Sequence, residues 1–80
     1  MSATPKPEPD VAEYPNGKVK YTGSRLDGEP HGDWTWYRLD GSLMRSGSFE
    51  RGRQVGVWRT FDRSGRLVKE TTFPVQRADG

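Results

Sequence analysis

The chain has no cysteine, a single histidine (His31) and little apolar material, with only 30% of its 80 residues hydrophobic. Without cysteine there is no disulfide framework and no thiolate zinc site, and nothing signals an oxidising compartment. One histidine supplies neither a metal cage nor a His-based catalytic apparatus. No apolar run approaches the roughly 18 residues of a membrane span, and no charged-then-apolar leader opens the sequence. The expectation is therefore a soluble, cytoplasmic protein. Helical periodicity is missing too, because apolar residues never recur at helical spacing over three turns and glycine interrupts every window. Thirteen basic against eleven acidic residues leave a net charge of +2, which argues neither for nor against nucleic acid.

What the chain does have is glycine and aromatics. All nine aromatic residues lie between Tyr14 and Phe73. Residues 1–13, with Pro5, Pro7 and Pro9 among charged residues, read as a disordered tail, and residues 74–80 as a second one. The domain is then residues 14–73, where eleven bases and seven acids give +4. Seven of those bases fall in residues 41–73 against three acids, so the positive charge gathers in the second half.

The dominant signal is an internal repeat of period 24. Gly17, Gly23, Gly28 and Gly32 recur as Gly41, Gly47, Gly52 and Gly56. With them recur Val19, Leu43 and Leu67, the pair Trp34 and Trp58, and the pair Tyr37 and Phe61. A third copy starts at Gly65 and carries Thr71 where the others have their second glycine. Each unit reads as a hairpin. Asn16-Gly17, Asp40-Gly41 and Ser64-Gly65 suit two-residue turns, while residues 27–32 and 51–56 read as longer, looser loops. The expected fold is all-β, a single antiparallel meander of about five strands near residues 18–26, 33–39, 42–50, 57–62 and 66–73.

Register from the Asp40-Gly41 turn pairs Trp36 with Arg45 and Trp34 with Gly47. Alternation then collects Val19, Tyr21, Trp34, Trp36, Leu43, Phe49, Trp58, Leu67 and Phe73 on one face, together with Gly23 and Gly47. The other face is polar apart from Tyr37, Met44, Phe61 and Val68. Strand glycine is where a ring can approach the backbone closely, so Trp34 is expected to cover Gly47, and Trp36 to cover Gly23. Gly23, Gly47, Trp34 and Trp58 are thus structural. No second layer is available to hide the aromatic face, so either the sheet curls over itself as a half-barrel or another chain covers it.

The run Tyr14-Pro-Asn-Gly17-Lys-Val-Lys, followed by Asp27-Gly28, His31-Gly32-Asp-Trp34 and Tyr37, resembles the bacterial variant of the MORN (membrane occupation and recognition nexus) repeat. Members of that group often look like the YwqK-type antitoxins of toxin–antitoxin systems. The resemblance spans residues 14–73 and implies a meander of hairpins acting as a non-catalytic interaction module. Two positions depart from the pattern: Arg25 stands where the second copy has Phe49, and Glu13 where later copies have Tyr37 and Phe61.

No nucleophile, base and orienting group assemble from these residues. His31, in a loop, has Val55 as its repeat equivalent and reads as structural. Asp27, Glu29 and Asp33 surround that loop without the spacing of a metal-binding loop, and no helix follows a glycine-rich turn to cradle phosphate. The chain is read as no enzyme and as needing no cofactor. Its expected job is protein–protein contact, with another protein or a second copy of itself as in a homodimer, through Trp36, Tyr37, Arg45, Arg59 and Phe61. The alternative is a binder of single-stranded nucleic acid or of an anionic membrane surface, using aromatics interleaved with bases. It ranks second because glycine already explains the tryptophans as packing residues, and because Arg45 is expected to pair with Asp62 and Arg59 with Glu70.

Overall fold

A computed structural model of the chain describes residues 6–74, and it is entirely strand and turn. Seven strands form one antiparallel sheet: β1 (Glu8–Glu13), β2 (Val19–Leu26), β3 (Glu29–Pro30), β4 (Gly32–Tyr37), β5 (Leu43–Glu50), β6 (Arg53–Phe61) and β7 (Leu67–Phe73). The spatial order is β1-β2-β4-β5-β6-β7, with the two-residue β3 pairing β2 just before β4 begins. The expected meander is present, with more strands than anticipated. The additional full-length strand is β1, which lies in residues expected to be a tail. It pairs with β2 from Glu8 opposite Arg25 to Glu13 opposite Val19. Side chains fasten it as well: Asp10 accepts from Arg25 Nε at 2.6 Å and from the Tyr21 hydroxyl at 3.3 Å. Of the two expected tails, residues 1–5 and 75–80 lie outside the described residues.

With β1 in place the repeat gains its first member. Residues 8–26, 32–50 and 56–73 are three hairpins offset by 24. Asp10 of β1 therefore stands where β4 has Trp34 and β6 has Trp58.

The two kinds of turn exchange roles relative to the expectation. In the hairpin turns only Gly17, Gly41 and Gly65 have positive φ, while Asn16, Asp40 and Ser64 do not. These are three-residue loops: Tyr14 N–H donates to Lys18 O and Gly17 N–H to Tyr14 O, and the pattern repeats at Arg38 and at Asp62. One extra residue then sits in each following strand as a β-bulge, because the register slips at Ala12/Glu13, Trp36/Tyr37 and Thr60/Phe61. The slip cancels the longer loop, so Trp36 still meets Arg45 and Trp34 still meets Gly47. It also moves Val19, Leu43 and Leu67 off the aromatic face, since each now pairs with Glu13, Tyr37 or Phe61. The tight two-residue turns are the connections read as loose loops. Asp27-Gly28 and Arg51-Gly52 have positive φ at both positions, as the twist of adjoining strands favours.

Arg51 is the costly member of that set. A left-handed backbone costs a side chain with a Cβ about 1–2 kcal/mol, and asparagine bears it best. Arg51→Asn should stabilise the fold by about 0.5–1 kcal/mol and raise Tm by roughly 2–8 °C. Its ion pair with Asp27 is long and exposed, 3.9 Å, and losing it changes little. A Tm unchanged or lowered in thermal unfolding would contradict this reading of the turn.

Aspartates tie the hairpin turns together. Asp40 accepts from the backbone N–H and hydroxyl of Ser42, and Asp62 from those of Ser64 and from Arg66 N–H. The Ser42 backbone N–H, then its hydroxyl, hold the Asp40 carboxyl below the usual value of 3.8. For Asp62 the Ser64 hydroxyl is the main cause, followed by Arg66 N–H. A folded-state pKa below the unfolded one stabilises the fold above the unfolded value and loses that contribution as pH falls through the folded one. Tm should therefore drop on acidification below about pH 4. Asp40→Asn keeps the acceptor, as Asn16 does toward Lys18 N–H, and removes the titration. Its Tm should fall less than that of the parent over the same range, as pH-dependent thermal melts would show.

Candidate binding face

Apart from Val19, Leu43 and Leu67, the aromatic face holds the residues that alternation collects there. Tyr21, Trp34, Trp36, Phe49, Trp58 and Phe73 form one connected array of rings with centroids 5.0–6.3 Å apart. Trp34 and Trp58 are buried, 5% and 4% exposed, and the other four are half-buried. The sheet does not curl into a half-barrel: its Cα extents are 47 × 29 × 11 Å, and β1 and β7 remain its two edges. The rings protect one another by lying flat.

What lets them lie flat is glycine, with a pairing that differs from the expected one. A Cβ on Gly23 would come under 3.0 Å from ring carbons of Trp34, and a Cβ on Gly47 would do the same to Trp58. Trp34, directly opposite Gly47 on β5, turns its ring the other way, toward β2. Trp36 covers no glycine, because its partner on β2 is Tyr21. Trp34 and Trp58 each cover the glycine eleven residues before them. The indole is locked there by Nε1, which donates to Ser24 O from Trp34 at 3.0 Å and to Ser48 O from Trp58 at 3.1 Å. Residues two before and two after each glycine then clamp the ring. Tyr21 and Arg25 flank Trp34, with centroid distances of 5.5 Å each. Arg45 at 5.1 Å and Phe49 at 5.0 Å flank Trp58. Arg25, which departs from the Phe49 pattern, thus does the same packing job with its guanidinium.

Of the five residues expected to contact a partner, the structure brings together two. Trp36 and Arg45 are cross-strand neighbours on the aromatic face. Arg59 lies on the other face, paired with Glu70 at 2.9 Å as expected. Tyr37 and Phe61 also lie on that side, beside the bulges, and their carbonyls accept from the Tyr14 hydroxyl and from Arg38 Nη2. Arg45 does not pair with Asp62, which is occupied within its own turn, and rests on Trp58 instead.

One cross-strand row runs Ala12, Tyr21, Trp36, Arg45, Thr60, Lys69. Thr60 replaces the tryptophan at position 36 and opens a hollow of about 160 Å³, whose lining includes Arg45, Trp58, Lys69 and Phe73. Among the described residues neither Arg45 nor Lys69 has a carboxylate within ion-pair reach. From sequence, Lys69 figures only as one of the bases, near Arg45 and Arg59, that would suit the nucleic-acid alternative, and Thr60 not at all; the signal was available as departures from the period at positions 60 and 69. His31 is structural, its Nδ1 accepting from Arg51 N–H at 3.1 Å. Among the described residues there is no group of three or more metal-ligating side chains and no helix long and apolar enough to cross a membrane.

Residues 54–73 match the family model of the MORN repeat variant, a stretch that takes in most of β6 and all of β7. Repeats of that family are non-catalytic as a rule and are linked to protein or membrane interactions. No curated protein and no solved structure matches the chain.

Proposed function

We propose that the chain is a non-catalytic interaction module that docks a protein partner on its aromatic face, as an antitoxin-like neutralising partner does. The observation that carries this reading is the composition of that face. Half-buried Tyr21, Trp36, Phe49 and Phe73 surround two locked tryptophans, and Arg45 and Lys69 stand at one side with no carboxylate among the described residues to balance them. Aromatic and arginine anchors on a rigid support are what protein interfaces concentrate their affinity in. Trp36 and Arg45 are the anchors; Tyr37, Arg59 and Phe61, on the far side, belong to a second surface.

The test uses the product of the gene beside this one. Its expression should arrest growth and co-expression of this chain should relieve the arrest. Trp36→Ser with Arg45→Gln lowers Tm, since both residues touch Trp58, and should abolish the relief at a temperature where circular dichroism shows the variant still folded. Relief undiminished in that variant, or a neighbouring product without toxicity, would contradict the antitoxin-like role. The rival reading, single-stranded nucleic acid or an anionic membrane on the same aromatic and basic residues, is separated by salt. Its binding falls steeply as salt rises, whereas an aromatic-anchored protein contact is much less sensitive.

A further inference from the structure

The three hairpins are joined by one device, a ring from the first strand of a hairpin laid on the glycine in the second strand of the hairpin before it. The outer edges carry a modified form of both halves. On β7 the glycine position is Thr71, which pairs with Trp58. On β1 the tryptophan position is Asp10. A Cβ at position 71 excludes an indole, as the collisions at Gly23 and Gly47 show, and Asp10 offers no indole. The two changes are complementary in size, since a short carboxylate needs no glycine beneath it.

They are complementary in charge as well. At the β5–β6 joint Arg45 lies against the ring of Trp58. Lys69 is the equivalent of Arg45 and Asp10 the equivalent of Trp58, so a β1 strand added to β7 in the repeat's own register brings Asp10, whose carboxylate also accepts from Arg25 and Tyr21 on β2, beside Lys69 and the Thr71 hydroxyl. Lys69 is exposed and has no ion pair among the described residues. Apolar exposure follows the same edges: Val11 on β1 and Leu67 and Val68 on β7 are 56%, 44% and 56% exposed, three of the five large apolar side chains left so open. Pro9 removes one donor from β1, at the position equivalent to Asp33 and Val57. Those residues adjoin Gly32 and Gly56, and the β5–β6 register slips at Gly56.

We infer that β1 of one copy adds to β7 of another, continuing the sheet head to tail with Asp10 seated on Thr71 beside Lys69. Such a contact uses two different surfaces, so it propagates as an open string or closes as a ring. It takes up Lys69 and Thr71 at one end of the aromatic face and leaves the anchors Trp36 and Arg45 free.

Sedimentation velocity over a concentration series tests the contact. The parent chain should grow in size with concentration. Lys69→Asp and Asp10→Lys should each weaken association at least about tenfold through like-charge contact. An equimolar mixture of the two variants should restore it, because each β1 then meets a β7 of opposite charge. Among the described residues the Lys69 side chain has no hydrogen bond or ion pair to lose, so Lys69→Asp tests the joint even if Asp10→Lys, which also forfeits the Arg25 pair, fails to fold. A parent chain that stays monomeric up to about millimolar, or association that Lys69→Asp leaves intact, overturns the inference. The second outcome would point to pairing of aromatic faces instead.

Discussion

Gly47→Ala is expected to unfold the domain or destabilise it by at least about 3 kcal/mol, a loss larger than overpacking in a core usually causes. The added methyl is small, but its position leaves no room. It would fall under 3.0 Å from three ring carbons of Trp58, and the ring cannot slide away, because Nε1 is held by Ser48 O and the plane is clamped between Arg45 and Phe49. The indole has to leave its seat, and with it goes the contact of Trp58 with Trp36 and Phe73. Urea unfolding would show the effect as a fall in midpoint. Gly17→Ala provides the comparison, since a Cβ there meets nothing within 4 Å and its cost is limited to backbone strain at φ +86°. The account requires Gly47→Ala to be clearly the worse of the two.

Trp58→Ala is expected to cost about 3–5 kcal/mol, as aromatic truncations in cores do. For a domain whose total stability lies in the range of about 5–15 kcal/mol that is a large part of the whole. Trp58 is the hub of the second joint: it touches Trp36, Phe49 and Phe73 and takes the Arg45 guanidinium on its face. Trp34→Ala should cost a similar amount for the same reasons at the first joint. Trp36→Ala should cost less, because Trp36 is half-buried and has no glycine seat. Tm values in the order Trp36→Ala above Trp34→Ala and Trp58→Ala would agree with this, and equal losses at all three would mean that the glycine seat contributes little.

Much of this architecture is legible in the sequence because the period of 24 repeats constraints that are local. Glycine and tryptophan recur together, alternation sorts the two faces, and the Asp40-Gly41 turn fixes the pairing of Trp34 and Trp36 with β5. What escapes the sequence has identifiable physical causes. A three-residue loop plus a bulge gives the same distant register as a two-residue turn, so the pairing of Trp36 with Arg45 does not reveal which is present, and Val19, Leu43 and Leu67 change face unnoticed. Trp34 lies opposite a glycine on each side, Gly23 on β2 and Gly47 on β5, and register alone does not say which way the ring turns. The side chain settles it by donating to Ser24 O. Strand β1 escapes because Pro9 and three acids look like a solvated tail; it forms because Asp10 finds Arg25 and Tyr21 across the sheet.

For the candidate binding face, composition identifies the ingredients and the register groups them. Arg45 and Trp36 belong together only because their strands pair, and Arg59 is separated from them by a single step of alternation. Lys69 and Thr60 become visible once the copies are superimposed and the positions at which they differ are seen to share one hollow.

The central claim is that a tryptophan seated on a glycine joins each hairpin to the one before it. The most direct test is the stability of Gly47→Ala with and without Trp58→Leu. If the ring occupies the glycine's space, the double variant is more stable in urea than Gly47→Ala alone, since a smaller side chain at position 58 makes room for the methyl. If the two changes simply add, leaving the double variant less stable than either single one, the seat is not where the structure puts it.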